Sequence, residues 1–165
     1  MIAAMACRIA LEPANQPEVI ALITDLDDFQ KPLYPAESHH GIPIDALSQP
    51  NVLFAVARDA SGAAAGCAAV VLNEGYGELK RMFVRTTHRG LGIGKALIAF
   101  LEEQASQNGC RLMMLETGVL QPEAIGLYQT VGYERRDAFG AYGPDPLSIF
   151  MQKTLPRHED RAEAP

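Results

Sequence analysis

Between residues 88 and 95 the chain reads His-Arg-Gly-Leu-Gly-Ile-Gly-Lys, three glycines at alternate positions between a strand-like run and a helical one. Glycine lets peptide N–H groups approach a ligand closely, and a helix N-terminus adds a partial positive charge, so such a joint suits a phosphate. Without a ligand it is a tight strand-to-helix turn. Two familiar phosphate loops fit it badly. The nucleotide pattern GxxxxGK[ST] is one residue short, and Ala96 stands where a metal-binding hydroxyl belongs. The dinucleotide pattern GxGxxG has Lys95 in the place of its third glycine, although Glu116 at the end of the next strand could serve as a ribose ligand.

The periodicities around this loop predict an alternation of strands and helices. Residues 7–12 form a short apolar run closed by Pro13, and Asn15 offers a helix N-cap ahead of Pro17 and Glu18. Val19, Leu22, Ile23, Leu26 and Phe29 then recur at helical spacing, which gives one buried stripe on a helix ending near Gln30. From Lys31 to Pro50 prolines, glycine and paired histidines predict a loop lying over something, with one helical turn at Ile44–Leu47. Three runs separated by a Ser61-Gly62 turn and a Gly75-Tyr76-Gly77 turn read as an antiparallel meander. After the glycine loop, residues 92–108 are helical, with Ile93, Leu97, Phe100, Leu101 and Ala105 on one face and Asn108-Gly109 as the stop. A strand (RLMMLET), a helix opened by Pro122, the extended YERR and a last strand (LSIFMQKTL) complete the order β-α-β-β-β-α-β-α-β-β. One domain over residues 1–155 is expected, with 156–165 as a disordered tail.

Composition limits what the loop can bind. The chain carries 14 Lys+Arg against 20 Asp+Glu, a net charge of −6, so there is no positive field for nucleic acid or an anionic membrane surface. No apolar run is long enough for a membrane span, and the first charge, Arg8, follows the N-terminal apolar stretch, unlike a signal peptide. Cys7, Cys67 and Cys110 form an odd set without metal-ligand spacing, which points to reduced thiols, no metal and a cytoplasmic protein.

Arg89-Gly90-Leu91-Gly92-Ile93-Gly94 matches the (Q/R)xxGx(G/A) signature of the GNAT N-acetyltransferases. Residues 121–133, from Gln121 through Leu127-Tyr128 to Gly132-Tyr133, resemble that family's second signature, NxxAxxLYxxxGF, with Gln for Asn and Tyr for Phe. The resemblance extends over the strand order from about Ile9 to Leu155. DPLSIFMQK is similar to a bacterial subgroup of acetyltransferases with small, unassigned substrates. It implies a mixed α/β fold: a mostly antiparallel central sheet with a splayed strand pair and helices on both faces.

The resemblance also implies acetyl-CoA as cosubstrate. Met82, Phe83 and Val84 would bond the pantetheine arm from a bulged strand, whose free N–H suits the thioester carbonyl oxygen. Gly90, Leu91, Gly92, Ile93, Gly94 and Lys95 would hold the pyrophosphate with Arg89 beside them, and Gln121 and Tyr128 would complete the cofactor site. Acetyl transfer to a primary amine by direct attack requires a proton to leave the amine and the departing thiolate to be neutralised. Tyr128 is the expected donor, and Glu78 or Glu116 the base, unless a water chain serves. Tyr34, His39, His40, Phe139, Tyr142 and Asp145 stand in loops expected to line the acceptor pocket, Tyr34, His39 and Tyr142 foremost. The expected partner is a small amine or amino acid, with a homodimer left open. A non-catalytic acyl-CoA sensor and a dinucleotide-binding protein are the alternatives.

Overall fold

In the computed structural model, which describes residues 7–157, seven strands pair into one sheet. In chain order the elements are β1 (Arg8–Leu11), α1 (Pro17–Gln30), α2 (Ile44–Leu47), β2 (Val52–Arg58), β3 (Ala64–Asn73) and β4 (Tyr76–Val84), followed by α3 (Ile93–Gln107), β5 (Leu112–Gly118), α4 (Pro122–Thr130), β6 (Glu134–Arg136) and β7 (Ser148–Thr154). The spatial order is β1-β2-β3-β4-β5-β7-β6. Among the described residues only the β4–β5 contact is parallel. The element order expected from the periodicities is the observed one. Of the tail expected to be disordered, residues 158–165 lie outside the described residues.

Strand alternation sends side chains to two cores. Phe54, Val56, Cys67 and Ala69 meet Val19, Leu22, Ile23 and Leu26 of α1 on one face. Ala55, Ala57, Ala68 and Val70 meet Ile93, Leu97, Ile98, Leu101 and Ala105 of α3 on the other, so the sheet is covered on both sides. The alanines let the helices approach closely. No helix among the described residues is long and apolar enough to cross a membrane.

Three local expectations need correction, and one buried residue had no sequence signal. Phe29 is 44% exposed. It lies at the end of α1, where its ring faces the Arg89 guanidinium 5.7 Å away. The N-cap of α1 is Gln16, not Asn15, and makes no side-chain cap bond. Tyr76 and Gly77 belong to β4, because the hairpin closes one residue earlier with Asn73 paired to Tyr76. Gly77 is needed there as a strand residue, since a Cβ would lie 2.9 Å from Val70 Cγ1. On α3, Glu102 is buried where the apolar pattern gave no sign of it, and receives hydrogen bonds from Tyr133 Oη at 3.0 Å and Lys153 Nζ at 2.8 Å.

One irregularity decides where a site can form. Between β3 and β4 the register steps from Ala69↔Lys80 to Cys67↔Phe83, so Arg81 and Met82 oppose Ala68 alone. This is a β-bulge, and Arg81 adopts the left-handed conformation at φ +57°, which is unusual for a residue with a side chain. On the other side, β4 pairs with β5 only from Gly77 to Leu79, against Met113 to Leu115. Both strands continue past that point, so they part.

Candidate active site

The parting of β4 and β5 opens a cleft of about 120 Å³. Lys80, Arg81 and Met82 form one wall, Glu116, Thr117 and Gly118 the other. Leu79 through Met82 line the cleft in succession around the bulge. Ala124, Leu127 and Tyr128 of α4 close one side. The loop after α1, expected to lie over something, covers the opposite side with Tyr34, Ser38, His39, His40 and Gly41.

Tyr128 is 6% exposed and lies edge-on to Tyr133. Burial, with a smaller contribution from the Glu116 charge, pushes its phenol well above the ordinary value. Glu116 accepts a hydrogen bond from Ser148 Oγ at 2.7 Å. Burial raises its carboxyl above the usual range, against the lowering effects of that bond and of the His40 and Lys80 charges.

Glu78 is placed differently from Glu116. Although buried, it does not line the cleft: its Oε2 accepts from Tyr142 Oη at 2.5 Å and from Lys80 Nζ at 3.2 Å. Lys80 Nζ also donates to the His40 carbonyl at 2.8 Å and to Tyr142 Oη at 2.8 Å, so its three hydrogens have partners. Tyr142 thus belongs to a bonded cluster behind the wall, in contact with Phe139 and Phe150. It is not part of the pocket lining expected of it.

Tyr34 does line the cleft, but its hydroxyl is engaged, accepting from Leu120 N at 3.1 Å and donating to Gln121 Oε1 at 3.2 Å. This pins the β5–α4 connection, and only a glycine fits at 118, where a Cβ would collide with the Tyr34 hydroxyl. Gln121 is therefore oriented by Tyr34 at the cleft's edge. His39 Nε2 lies 2.9 Å from the Tyr34 carbonyl oxygen. His40 sits edge-on to Tyr142 and 3.5 Å from Asp145, which also accepts from Ser38 Oγ at 2.8 Å, so Asp145 ties down the covering loop.

The glycine loop is outside the cleft, at the N-terminus of α3. Gly90 and Gly92 have φ of +78° and +80°, and a Cβ on either would point into open space. Gly92 is the N-cap, so the first N–H groups of α3 lack intrahelical partners. Gly94 differs from the other two: it is already helical, and a Cβ there would come within 3.1 Å of Leu127 Cδ2, so it serves α3–α4 packing. Arg89 lies between the Phe29 and Phe83 rings, its Nε donating to the Val84 carbonyl at 3.2 Å. Phe83 and Val84 turn their side chains into the two cores, Leu91 packs on the α3 core, and Lys95 is exposed on the first turn.

Of the residues singled out in the sequence, the structure gathers Tyr34, His39, His40, Met82, Glu116, Gln121 and Tyr128 around one cleft. Sequence reasoning missed Arg81, Lys80 and Ser148. Two adjacent cations between Leu79 and Met82, where strand alternation allows one, were the available sign of the bulge.

A sheet parted beside a bulged strand, with a glycine-lined helix N-terminus following that strand, is the arrangement that the resemblance to the GNAT acetyltransferases implies. A profile of the Acetyltransferase (GNAT) family matches residues 20–133. An IAA acetyltransferase from Azospirillum brasilense is 46% identical over 149 residues, covering 89% of this chain and 97% of that protein. A Klebsiella pneumoniae protein assigned as an acyl-CoA N-acyltransferase superposes with a TM-score of 0.79 at 41% identity, over 92% of this chain and 99% of that one. An aminoglycoside 6'-N-acetyltransferase complexed with coenzyme A shares the fold, with a TM-score of 0.70 at 20% identity over 91% and 98% of the two chains. The chain belongs to the GNAT acetyltransferase family and is an acyltransferase enzyme.

Proposed function

We propose that the protein moves the acetyl group of acetyl-CoA onto the primary amine of a small molecule by direct attack in the β4–β5 cleft. The observation that carries this reading is the convergence of a buried phenol, Tyr128, and a half-buried carboxylate of raised pKa, Glu116, on a cleft walled by the bulge of β4. The thioester supplies an activated acetyl carbon. The C–N bond forms and the C–S bond breaks, and of the two protons lost by the ammonium one ends on sulfur and the other in solvent.

The residues suit the cosubstrate. The open space over Gly90 and Gly92 and the unpartnered first turn of α3 leave room for a pyrophosphate and suit its charge. In this reading Arg89 through Lys95 hold that group. The side of β4 that has lost β5, at Met82, Phe83 and Val84, bonds the pantetheine arm, with Gln121 at the opposite edge. The coenzyme A complex of a protein with this fold supports the assignment.

Glu116 accepts the amine's proton. A carboxylate of ordinary pKa, about 4.3, is a weak base, and raising that value brings it nearer the working pH. Glu78, bonded to Lys80 and Tyr142 behind the wall, positions Lys80. Tyr128 stays protonated and donates a hydrogen bond to the sulfur. With its pKa above the usual phenol value of about 10, full transfer to a thiolate near 8.5 is uphill by more than about 2 kcal/mol, so the proton moves only as the C–S bond breaks.

Calorimetry with coenzyme A and with NAD tests the binding half, and free-thiol release across a panel of amines tests the transfer. Coenzyme A binding with amine-dependent thiol release is expected. Binding of NAD but not coenzyme A, or silence across the panel, contradicts the reading.

A further inference from the structure

Arg81 is a buried cation short of partners. Its side chain is 7% exposed, and its guanidinium makes one polar contact, an ion pair from Nη2 to Asp27 Oδ1 at 2.9 Å. A guanidinium carries five N–H donors, and a buried one is ordinarily supplied with acceptors. Among the described residues, two buried side-chain polar atoms have no hydrogen-bond partner, Arg81 Nε and His40 Nε2, and both residues line the cleft. The covering loop crosses directly over this guanidinium at Gly41, where any Cβ would collide with Nη1. The chain therefore holds Arg81 in an unfavourable backbone conformation at the bulge, covers it and leaves its buried Nε without a partner.

The charges of the cleft are arranged to match. Lys80 and Arg81 line it, and among the described residues Glu116 is the one acidic residue in its lining. The acidic partners of the two cations, Glu78 and Asp27, lie behind or outside that lining. An acceptor with amines alone would bring positive charge toward Lys80 and Arg81. An acceptor with an amine at one end and a carboxylate at the other meets an anion and a cation in turn.

Resting on the acetyltransferase reading above, we propose that the acceptor is an amino acid, its amine facing Glu116 and its carboxylate received by the Arg81 guanidinium. A carboxylate matches the planar fork of arginine and can take two of its hydrogens at once. Asp27, whose side chain is 42% exposed, pairs with the same guanidinium and so competes for it. Lys80, with its own hydrogens engaged, contributes charge and not a bond.

The test compares acceptors that differ in the carboxylate: L-alanine with ethylamine, L-phenylalanine with phenethylamine, and each amino acid with its methyl ester. Thiol release from acetyl-CoA gives kcat/KM for each, and calorimetry gives acceptor binding in the presence of coenzyme A. Acids should exceed their amines and esters by on the order of 10²-fold, as expected when a buried charged donor loses its partner. In Arg81→Asn, a residue that tolerates the left-handed conformation, the ratio should collapse toward unity. The ratio is internal to one sample, so partial misfolding cancels. If that variant does not fold, Asp27→Asn keeps the test open: freed of its competitor, Arg81 should bind the acids more tightly while the amines are unchanged. Equal turnover of acids and amines by the wild type, or a ratio unmoved by Asp27→Asn, overturns this proposal and leaves the acetyltransferase reading standing. Silence with every amine, acid or not, overturns both.

Discussion

Ser148, in the strand next to Glu116, donates its hydroxyl hydrogen to Oε2 of that carboxylate at 2.7 Å, on the diagonal of a ladder that pairs Gly118 with Ser148 and Glu116 with Phe150. One oxygen of the proposed base is thereby fixed. The bond also restrains the rise that burial imposes on the carboxyl.

Glu116→Gln should lower kcat by roughly 10²-fold or more, the scale of lost general base catalysis. Glu78→Gln, acting through Lys80, should cost less. In the wild type kcat/KM should fall toward acid pH through a limb above the ordinary carboxylate range. Ser148→Ala, which removes a contribution that lowers the pKa, should move that limb to higher pH. A pH profile of the three variants checks the assignment, and an unmoved limb in Ser148→Ala would count against Glu116.

The same group makes a stability prediction of opposite sign. A carboxyl whose pKa is higher folded than unfolded favours the folded state while protonated, and loses that contribution as pH rises through the folded value. Glu116→Gln, neutral at every pH, should melt above the wild type at neutral pH. The difference should shrink below the ordinary carboxylate pKa. Melting curves at neutral pH and near pH 4 measure it.

Tyr128→Phe keeps the ring against Tyr133 and removes the hydroxyl. Turnover should drop by roughly 10²-fold while coenzyme A affinity stays within a few-fold. Steady-state kinetics with calorimetry separate the two quantities, and equal losses would mean a packing role.

Gly92→Val adds a side chain at φ +80° in space that is open in the structure. Coenzyme A affinity should weaken by about 10–100-fold, corresponding to loss of one or two charge-assisted backbone bonds. Calorimetry reads the change directly. Gly94→Val keeps helical backbone and asks only Leu127 Cδ2 to give way, so it should lower the melting temperature less than Gly92→Val, which is strained at positive φ.

Local pattern made much of this fold readable. The α1 stripe from Val19 to Leu26 and the glycine joint before α3 follow from spacing alone, and the two signatures carried the family. Arg81 was not readable in the same way. Its φ and the bulge around it depend on where β3 pairs, and no short-range rule makes an arginine left-handed. Glu78 and Glu116 looked equivalent as strand-end carboxylates. Tyr142, 64 residues from Glu78 in the chain, separates them by engaging one and leaving the other to the cleft.

The most direct measurement of the central claim is free-thiol release from acetyl-CoA, followed with and without amine acceptors for the wild type and Glu116→Gln side by side. The account predicts amine-dependent release, with the N-acetylated acceptor as product, and a loss of roughly 10²-fold in the variant. Release that does not depend on the amine, or a Glu116→Gln enzyme as fast as the wild type, would contradict it.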